Sequence, residues 1–135
     1  MEKIKKTNEE WKQILPKDVY HVTREKGTEP AFSGEFWDNH EKGQYRCSNC
    51  GLQLFSSETK YDSGTGWPSF YKPVDDAHLE SRPDNGLLMK RTETICARCG
   101  AHLGHVFADG PEPTGRRFCM NSCALTFEAD NSDGK

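Results

Sequence analysis

Cys47-Ser48-Asn49-Cys50-Gly51 and Cys96-Ala97-Arg98-Cys99-Gly100 are two copies of one five-residue pattern, and their reading decides the fold. Each Cys-x-x-Cys turn points two sulfurs the same way, and the glycine that follows can take the positive φ the turn requires. Two such knuckles brought together place four thiolates around one Zn²⁺, a closed tetrahedral sphere with no position left for water. One structural zinc per chain is therefore expected, with Cys47, Cys50, Cys96 and Cys99 as its ligands; iron also suits four sulfurs. A thioredoxin-type redox pair is the other use of a Cys-x-x-Cys, but two glycine-terminated copies favour metal. The 45 residues from 51 to 95 separate the pairs, far more than a simple ribbon has. The metal then staples distant parts of one domain, and binding it is part of folding.

The composition shows why a staple helps. Hydrophobic residues make up 33% of the 135, and mean hydropathy is −0.88, so the core is thin for the length. A net charge of −3 and a pI of about 5.9, without a basic stripe, argue against nucleic acid or an anionic membrane as partner. No apolar run approaches a membrane span, and Met1–Lys6 lacks the apolar stretch of a signal peptide. Six cysteines without such a leader fit metal or redox chemistry in a reducing compartment, so a cytoplasmic location is expected. The chain is expected to be monomeric, one domain over 1–135, with its core in 7–128 and a frayed tail in 129–135.

Short elements follow from the local patterns. Thr7 and Glu10 predict a capping box for a helix over 7–14, with Trp11 and Ile14 on one face and Pro16 as the stop. A second helix is predicted over Lys17–Arg24, ended by Gly27. Beyond it, glycine, proline and aspartate break the chain into short apolar segments at Gln53-Leu54-Phe55, His78-Leu79-Glu80 and Arg91–Cys96. Asp84-Asn85-Gly86 predicts a hairpin turn, with Leu87–Lys90 leaving it as a strand. His105–Phe107, Arg117–Asn121 and Leu125–Phe127 supply further strands. The expected class is mainly β: a small antiparallel core with short N-terminal helices.

With four cysteines assigned to metal, Cys119 and Cys123 remain. Arg116 and Arg117 stand just before Cys119, and nearby cations lower a thiol's pKa. On an extended strand Arg117, Cys119 and Asn121 share a face, offering a cation, a nucleophile and an amide at one spot. On residue types alone, Cys119 is equally well a buried strand cysteine. His102 and His105, three apart after the second knuckle, can orient or donate a proton near a reacting oxygen, or serve as structural hydrogen bonders. In Ser63-Gly64-Thr65-Gly66-Trp67-Pro68 two glycines describe a sharp loop presenting an indole. Trp67 can line a pocket for a thioether methyl or belong to the core.

Taken together these blocks resemble methionine sulfoxide reductase B. The match is carried by Gly27-Thr28-Glu29-Pro30-Ala31-Phe32-Ser33-Gly34, Trp37-Asp38, both knuckles, Ser63–Phe70, His102-Leu103-Gly104-His105-Val106-Phe107 and Arg117–Ser122. The resemblance runs in order through nearly the entire chain. It implies a β-tent-like domain with the structural zinc found in many members. It implies that Cys119 attacks the sulfoxide sulfur as a thiolate and becomes a sulfenic acid while methionine leaves. His102, His105 and Asn121 would bind or protonate the departing oxygen, and Arg117 would favour the thiolate. Trp67 would pack against the substrate methyl, with Phe107 beside it. The implied substrate is the R epimer of methionine sulfoxide, in proteins or free; the implied reductant is thioredoxin or another thiol.

One departure bears on the catalytic cycle. Many members place the resolving cysteine where this chain has Thr65, and Cys123 stands where the family has a small non-thiol residue. Four residues of extended strand span roughly 13 Å, against a reach of about 7 Å between disulfide-linked Cα atoms. Cys123 can therefore resolve Cys119 only if the chain bends near Ser122. It is otherwise a small packed side chain beside Leu125, and an external thiol reduces Cys119. A non-catalytic, zinc-stapled binding module of similar fold is the competing function; it would have no use for Arg117, Cys119, Asn121 and the two histidines together.

Overall fold

The capping box predicted at the N-terminus is present. In the computed structural model, which describes residues 2–85 and 90–130, Glu10 N donates to Thr7 Oγ1 at 3.2 Å and Thr7 N to Glu10 Oε1 at 2.8 Å. Helix α1 (Asn8–Ile14) buries Trp11, and α2 (Lys17–Arg24) follows after Pro16. Ile14 departs from expectation: it is 61% exposed, whereas Trp11 is 1% exposed. The helix stops at Ile14, Leu15 turns to an extended conformation with its N–H on Trp11 O, and Leu15 packs on the core instead.

Nine strands among the described residues form two antiparallel sheets. The three-stranded sheet has the order β2 (Gln53–Ser56), β1 (Gly43–Cys47), β9 (Leu125–Ala129). The six-stranded sheet runs β3 (Lys60–Tyr61), β4 (Ser69–Phe70), β8 (Arg117–Met120), β7 (His102–Phe107), β6 (Lys90–Cys96), β5 (Leu79–Asn85). The predicted class holds, while β1, β3 and β4 were not foreseen. Three boundaries move. The β5–β6 ladder continues through Asp84↔Arg91 and Asn85↔Lys90, so Asp84 and Asn85 are strand and not turn; residues 86–89 of the predicted hairpin lie outside the described residues. Strand β8 stops at Met120, where Asn121 heads a 3₁₀ turn over Ser122–Ala124. At the C-terminus Ala129 still pairs with Gly43, so β9 runs two residues past the predicted Leu125–Phe127, and Asp130 N donates to Lys42 O at 2.9 Å. Residues 131–135 of the predicted tail lie outside the described residues.

Both sheets contribute to one core. Phe55 of β2 stacks on Phe70 of β4 with centroids 4.3 Å apart, and Tyr45 of β1 meets Phe70 edge-on at 5.1 Å. Each such burial stabilises the fold by about 1.5–3 kcal/mol over leaving the ring in water. The knuckles sit at the junction: Cys47 ends β1 in one sheet and Cys96 ends β6 in the other. The helical pair is fastened to them, with Arg24 donating to Asn49 Oδ1 and Cys99 O, both at 2.9 Å. No helix among the described residues is long and apolar enough to cross a membrane.

Candidate active site

The four knuckle sulfurs converge. All lie within 4.8 Å of one another, with Cys47–Cys99 and Cys50–Cys96 each at 3.6 Å. Zn–S bonds of about 2.3 Å in a tetrahedron give sulfur–sulfur edges of about 3.8 Å, whereas a disulfide would be about 2.05 Å. The donor set fits a single tetrahedral ion. Gly51 and Gly100 adopt φ of +80° and +81°, the left-handed turn the pattern predicted.

Cys119 lies elsewhere, on β8 in the middle of the six-stranded sheet. Its Cα partners are Ser69 on β4 and His105 on β7. Directly opposed residues share a face, so a hydroxyl and an imidazole flank the sulfur from its two neighbours. That face opens on a cavity of about 340 Å³ lined by Thr28, Thr65, Trp67, Arg91, Gly104, His105, Phe107, Arg117, Cys119, Met120 and Asn121. Gly104 permits the close approach of β7 to β8: a Cβ there would stand 2.1 Å from Cys119 O.

The two histidines take different places. On a regular strand residues three apart face opposite sides, yet the His102 and His105 rings lie 5.5 Å apart, edge to face. A β-bulge explains this. Thr94 pairs with Gly104 but Ile95 pairs with His102, leaving Leu103 as the extra residue. The Leu103 carbonyl, facing β8, accepts from Asn121 N at 2.9 Å, one step beyond the β7–β8 pairing, and from Asn121 Nδ2 at 3.2 Å. His105 lines the cavity; His102 does not, being 3% exposed behind it. His102 Nδ1 is 2.6 Å from Glu93 Oε2, whose other oxygen meets Lys26 Nζ at 3.3 Å. Burial lowers the His102 pKa, and the Glu93 hydrogen bond opposes it.

Asn121 is at the cavity although it lies past the strand. Its orientation follows from its partners: Oδ1 accepts from Glu29 N at 3.1 Å, and Nδ2 donates to Leu103 O. The second Nδ2 proton is what the amide can offer to a ligand. Trp67 follows Gly64 (φ +80°) and Gly66 (φ +90°), as the glycine spacing suggested, and its Nε1 donates to Glu29 O at 2.9 Å.

The two arginines before Cys119 take different places. Arg116 turns away, its guanidinium 4.9 Å from the Phe118 ring centre and 3.3 Å from Asp76. Arg117 stays at the cavity but is forked onto Asp109 at 3.0 and 3.1 Å and lies over Phe107 at 4.3 Å. Burial pushes the Cys119 thiol above its ordinary value of 9.0, outweighing the Thr65 hydrogen bond and the Arg117 charge. Hydroxyls stand ready to donate to the sulfur: Thr65 Oγ1 lies 3.9 Å from Cys119 Sγ, with Ser63 bonded to both Thr65 and Ser69 at 2.8 Å.

Cys123 is set apart. The chain does bend at Ser122, but Cys123 lines a separate cleft of about 580 Å³ that shares only Thr28 with the Cys119 cavity. Burial, Glu29 and Asp18 push its pKa up to about 12. Glu93, Asp109 and the Ser63–Thr65–Ser69 hydroxyls were not singled out from the sequence. The one available signal was Glu93, a lone carboxylate in the otherwise strand-like Arg91–Cys96 segment.

Comparison with known proteins agrees with this geometry. The SelR domain matches residues 15–129. A peptide methionine sulfoxide reductase MsrB of Methanosarcina mazei is 54% identical over 98% of this chain and 95% of its own length. Proteins of the same name from Hahella chejuensis, at 52% over 100% and 97%, and Leptospira interrogans, at 51% over 94% and 97%, are similarly close. With matches of this extent, the chain belongs to the MsrB family of methionine sulfoxide reductases.

Proposed function

We propose that the protein reduces methionine R-sulfoxide with Cys119 as nucleophile and a structural zinc held by Cys47, Cys50, Cys96 and Cys99. The observation that carries the reading is the placement of Cys119, His105, Asn121 and Trp67 around one cavity. The thioether methyl rests on the Trp67 indole, with Phe107 on the adjoining wall, and the sulfoxide oxygen takes hydrogen bonds from Asn121 Nδ2 and His105. Cys119 Sγ attacks the sulfoxide sulfur to form an Sγ–S bond as the oxygen takes up a proton. The oxygen then passes to Sγ while the Sγ–S and substrate S–O bonds break, so methionine leaves as the thioether, Cys119 becomes a sulfenic acid, and the substrate sulfur gains the two electrons the cysteine loses.

The raised pKa of Cys119 gives the proton a route. A thiol loses its proton readily only as the sulfoxide oxygen gains one, so the two transfers are coupled through groups lining the cavity. Arg117, fixed by Asp109, lends its charge to the sulfur as the proton leaves. His102 acts from behind His105, with Glu93 holding its Nδ1 proton and leaving Nε2 as acceptor.

Regeneration uses an external thiol, thioredoxin or another. One thiol converts the sulfenic acid to a mixed disulfide with release of water, and a second thiol releases Cys119. Thr65 at the loop and Cys123 in a separate cleft support this route over an internal disulfide. The experiment is a chiral assay with racemic methionine sulfoxide and excess dithiothreitol, beside Cys119→Ser. Loss of the R epimer alone, abolished in the variant, is expected; no turnover of either epimer by zinc-loaded protein would overturn the reading.

A further inference from the structure

Every hydrogen-bonding group of one buried residue outside the reacting set is committed to the site. Glu29 is 9% exposed. Its backbone N–H donates to Asn121 Oδ1 at 3.1 Å, and its carbonyl accepts from Trp67 Nε1 at 2.9 Å. Its carboxylate reaches the turn that follows the nucleophile strand, taking Ser122 N on Oε2 at 2.8 Å and Cys123 N on Oε1 at 3.1 Å. Gly34 closes over the same carboxylate, where a Cβ would stand 2.3 Å from Oε2.

These four bonds do two things. The backbone pair fixes the tilt of the indole and the rotation of the amide, two groups on different elements that would meet the same substrate. The carboxylate pair fixes residue 29 itself, because segment 25–42 contains no helix or strand that would hold its backbone by a ladder. A buried carboxylate accepting two backbone N–H groups is a strong anchor, and removing one acceptor strands a buried donor.

We infer that Glu29 is a positioning residue that sets the distance between the Trp67 indole and the Asn121 amide, and so sets how large a group on sulfur the site accepts. The inference rests on the proposed sulfoxide reduction. In Glu29→Gln the shape is kept, but the side-chain NH₂ faces one of the two N–H groups, so one anchor becomes a repulsion. The 28–30 segment then drifts, and the indole with it.

The test compares methionine sulfoxide with ethionine sulfoxide, which adds one methylene to the group on sulfur. A fitted apolar wall discriminates one methylene by roughly tenfold or more in kcat/KM. Wild type is expected to prefer the methyl substrate by that factor, and Glu29→Gln to bring the ratio toward one. The same change is expected to have little further effect on the ratio in a Trp67→Phe background. The ratio is internal to the folded fraction, so poor folding does not alter it; Glu29→Asp, one methylene short, serves if the Gln variant yields no folded protein. A lower activity with an unchanged ratio, or an equal change of ratio with and without Trp67, would reduce Glu29 to a structural role. Failure of wild type to reduce either substrate would instead sink the proposed activity, a distinguishable result.

Discussion

Gly104→Ala isolates how tightly the site depends on the packing of β7 against β8. The added methyl would stand 2.1 Å from Cys119 O and 2.9 Å from Met120 Cα, both backbone atoms that cannot rotate away. Reaching even 3.0 Å from the oxygen requires roughly 0.9 Å of strand separation. That stretches an ordinary N···O bond of about 2.9 Å to about 3.8 Å, beyond hydrogen-bonding range. Losing two or three ladder bonds at about 1 kcal/mol each puts the cost at about 3 kcal/mol. The melting temperature should fall by about 10 °C. The damage centres on the His105↔Cys119 pair, where a displacement near 1 Å costs about 100-fold in rate. Gly115→Ala is the reference: it has φ of +71° and nothing within 4 Å, so only backbone strain of about 1 kcal/mol applies. Urea unfolding and kcat/KM on both variants decide the matter. Equal destabilisation of the two, or a stable Gly104→Ala with full activity, would refute the close-packing account.

Other perturbations test separate parts of the site. Burial holds the Cys119 pKa above 9.0, so iodoacetamide labelling of that thiol should be slow at pH 7 and rise steeply only above pH 9; rapid labelling below neutral pH would restore the resting thiolate. Thr65→Cys places a sulfur where Oγ1 now lies 3.9 Å from Cys119 Sγ, so one turnover without reductant should leave a disulfide to Cys119, seen by peptide mass mapping. Cys123→Ser, by contrast, should leave the dithiothreitol-supported rate within about twofold of wild type, because Cys123 opens on another cleft; a large loss would implicate it in resolution. The His102 pKa is lowered from 6.5, so its share of stability is full above that pH and is lost as the pH falls and the unfolded chain takes up the proton. Denaturant titrations across pH 4 to 8 of wild type and His102→Gln, pH values chosen to bracket the transition, should show the smaller acid loss in the variant.

The knuckles were legible because their information is local: two cysteines, two spacers and a glycine whose φ follows from the turn. The helix caps were legible for the same reason. Strand β1 was not, because Gly43-Gln44-Tyr45-Arg46-Cys47 has little apolar character, though its burial alternates. Its place inside the sheet comes from Tyr45 meeting Phe36 nine residues before it and Phe70 and Phe127, which are distant in sequence. The resemblance located Cys119, Trp67 and Asn121, but not the forces acting on them. Arg117 looked like a free cation because Asp109, eight positions earlier in the chain, carries no signal that it will return across β7 and β8 to neutralise it.

The bulge at Leu103 shows how the spacing of the two histidines becomes useful. A helix would bring residues three apart together without help, whereas a strand sets them on opposite faces. The extra residue lets both rings approach one side, and its carbonyl, like any buried one, needs a donor. Asn121 supplies two N–H groups to it. The same amide is thereby fixed in rotation, and Glu29 N–H on Oδ1 leaves no alternative flip. The group bonded to the bulge carbonyl is thus the one proposed to meet the sulfoxide oxygen. An Asn121→Ala change removes the proposed substrate contact and one of the two donors to the Leu103 carbonyl, leaving the backbone N–H of residue 121 in place, so its loss of activity alone would not separate the two roles. The ring separation would: if Asn121 holds the bulge, the variant should release His102 from Glu93, visible as a shift of its imidazole resonances, while Cys119→Ser leaves them in place.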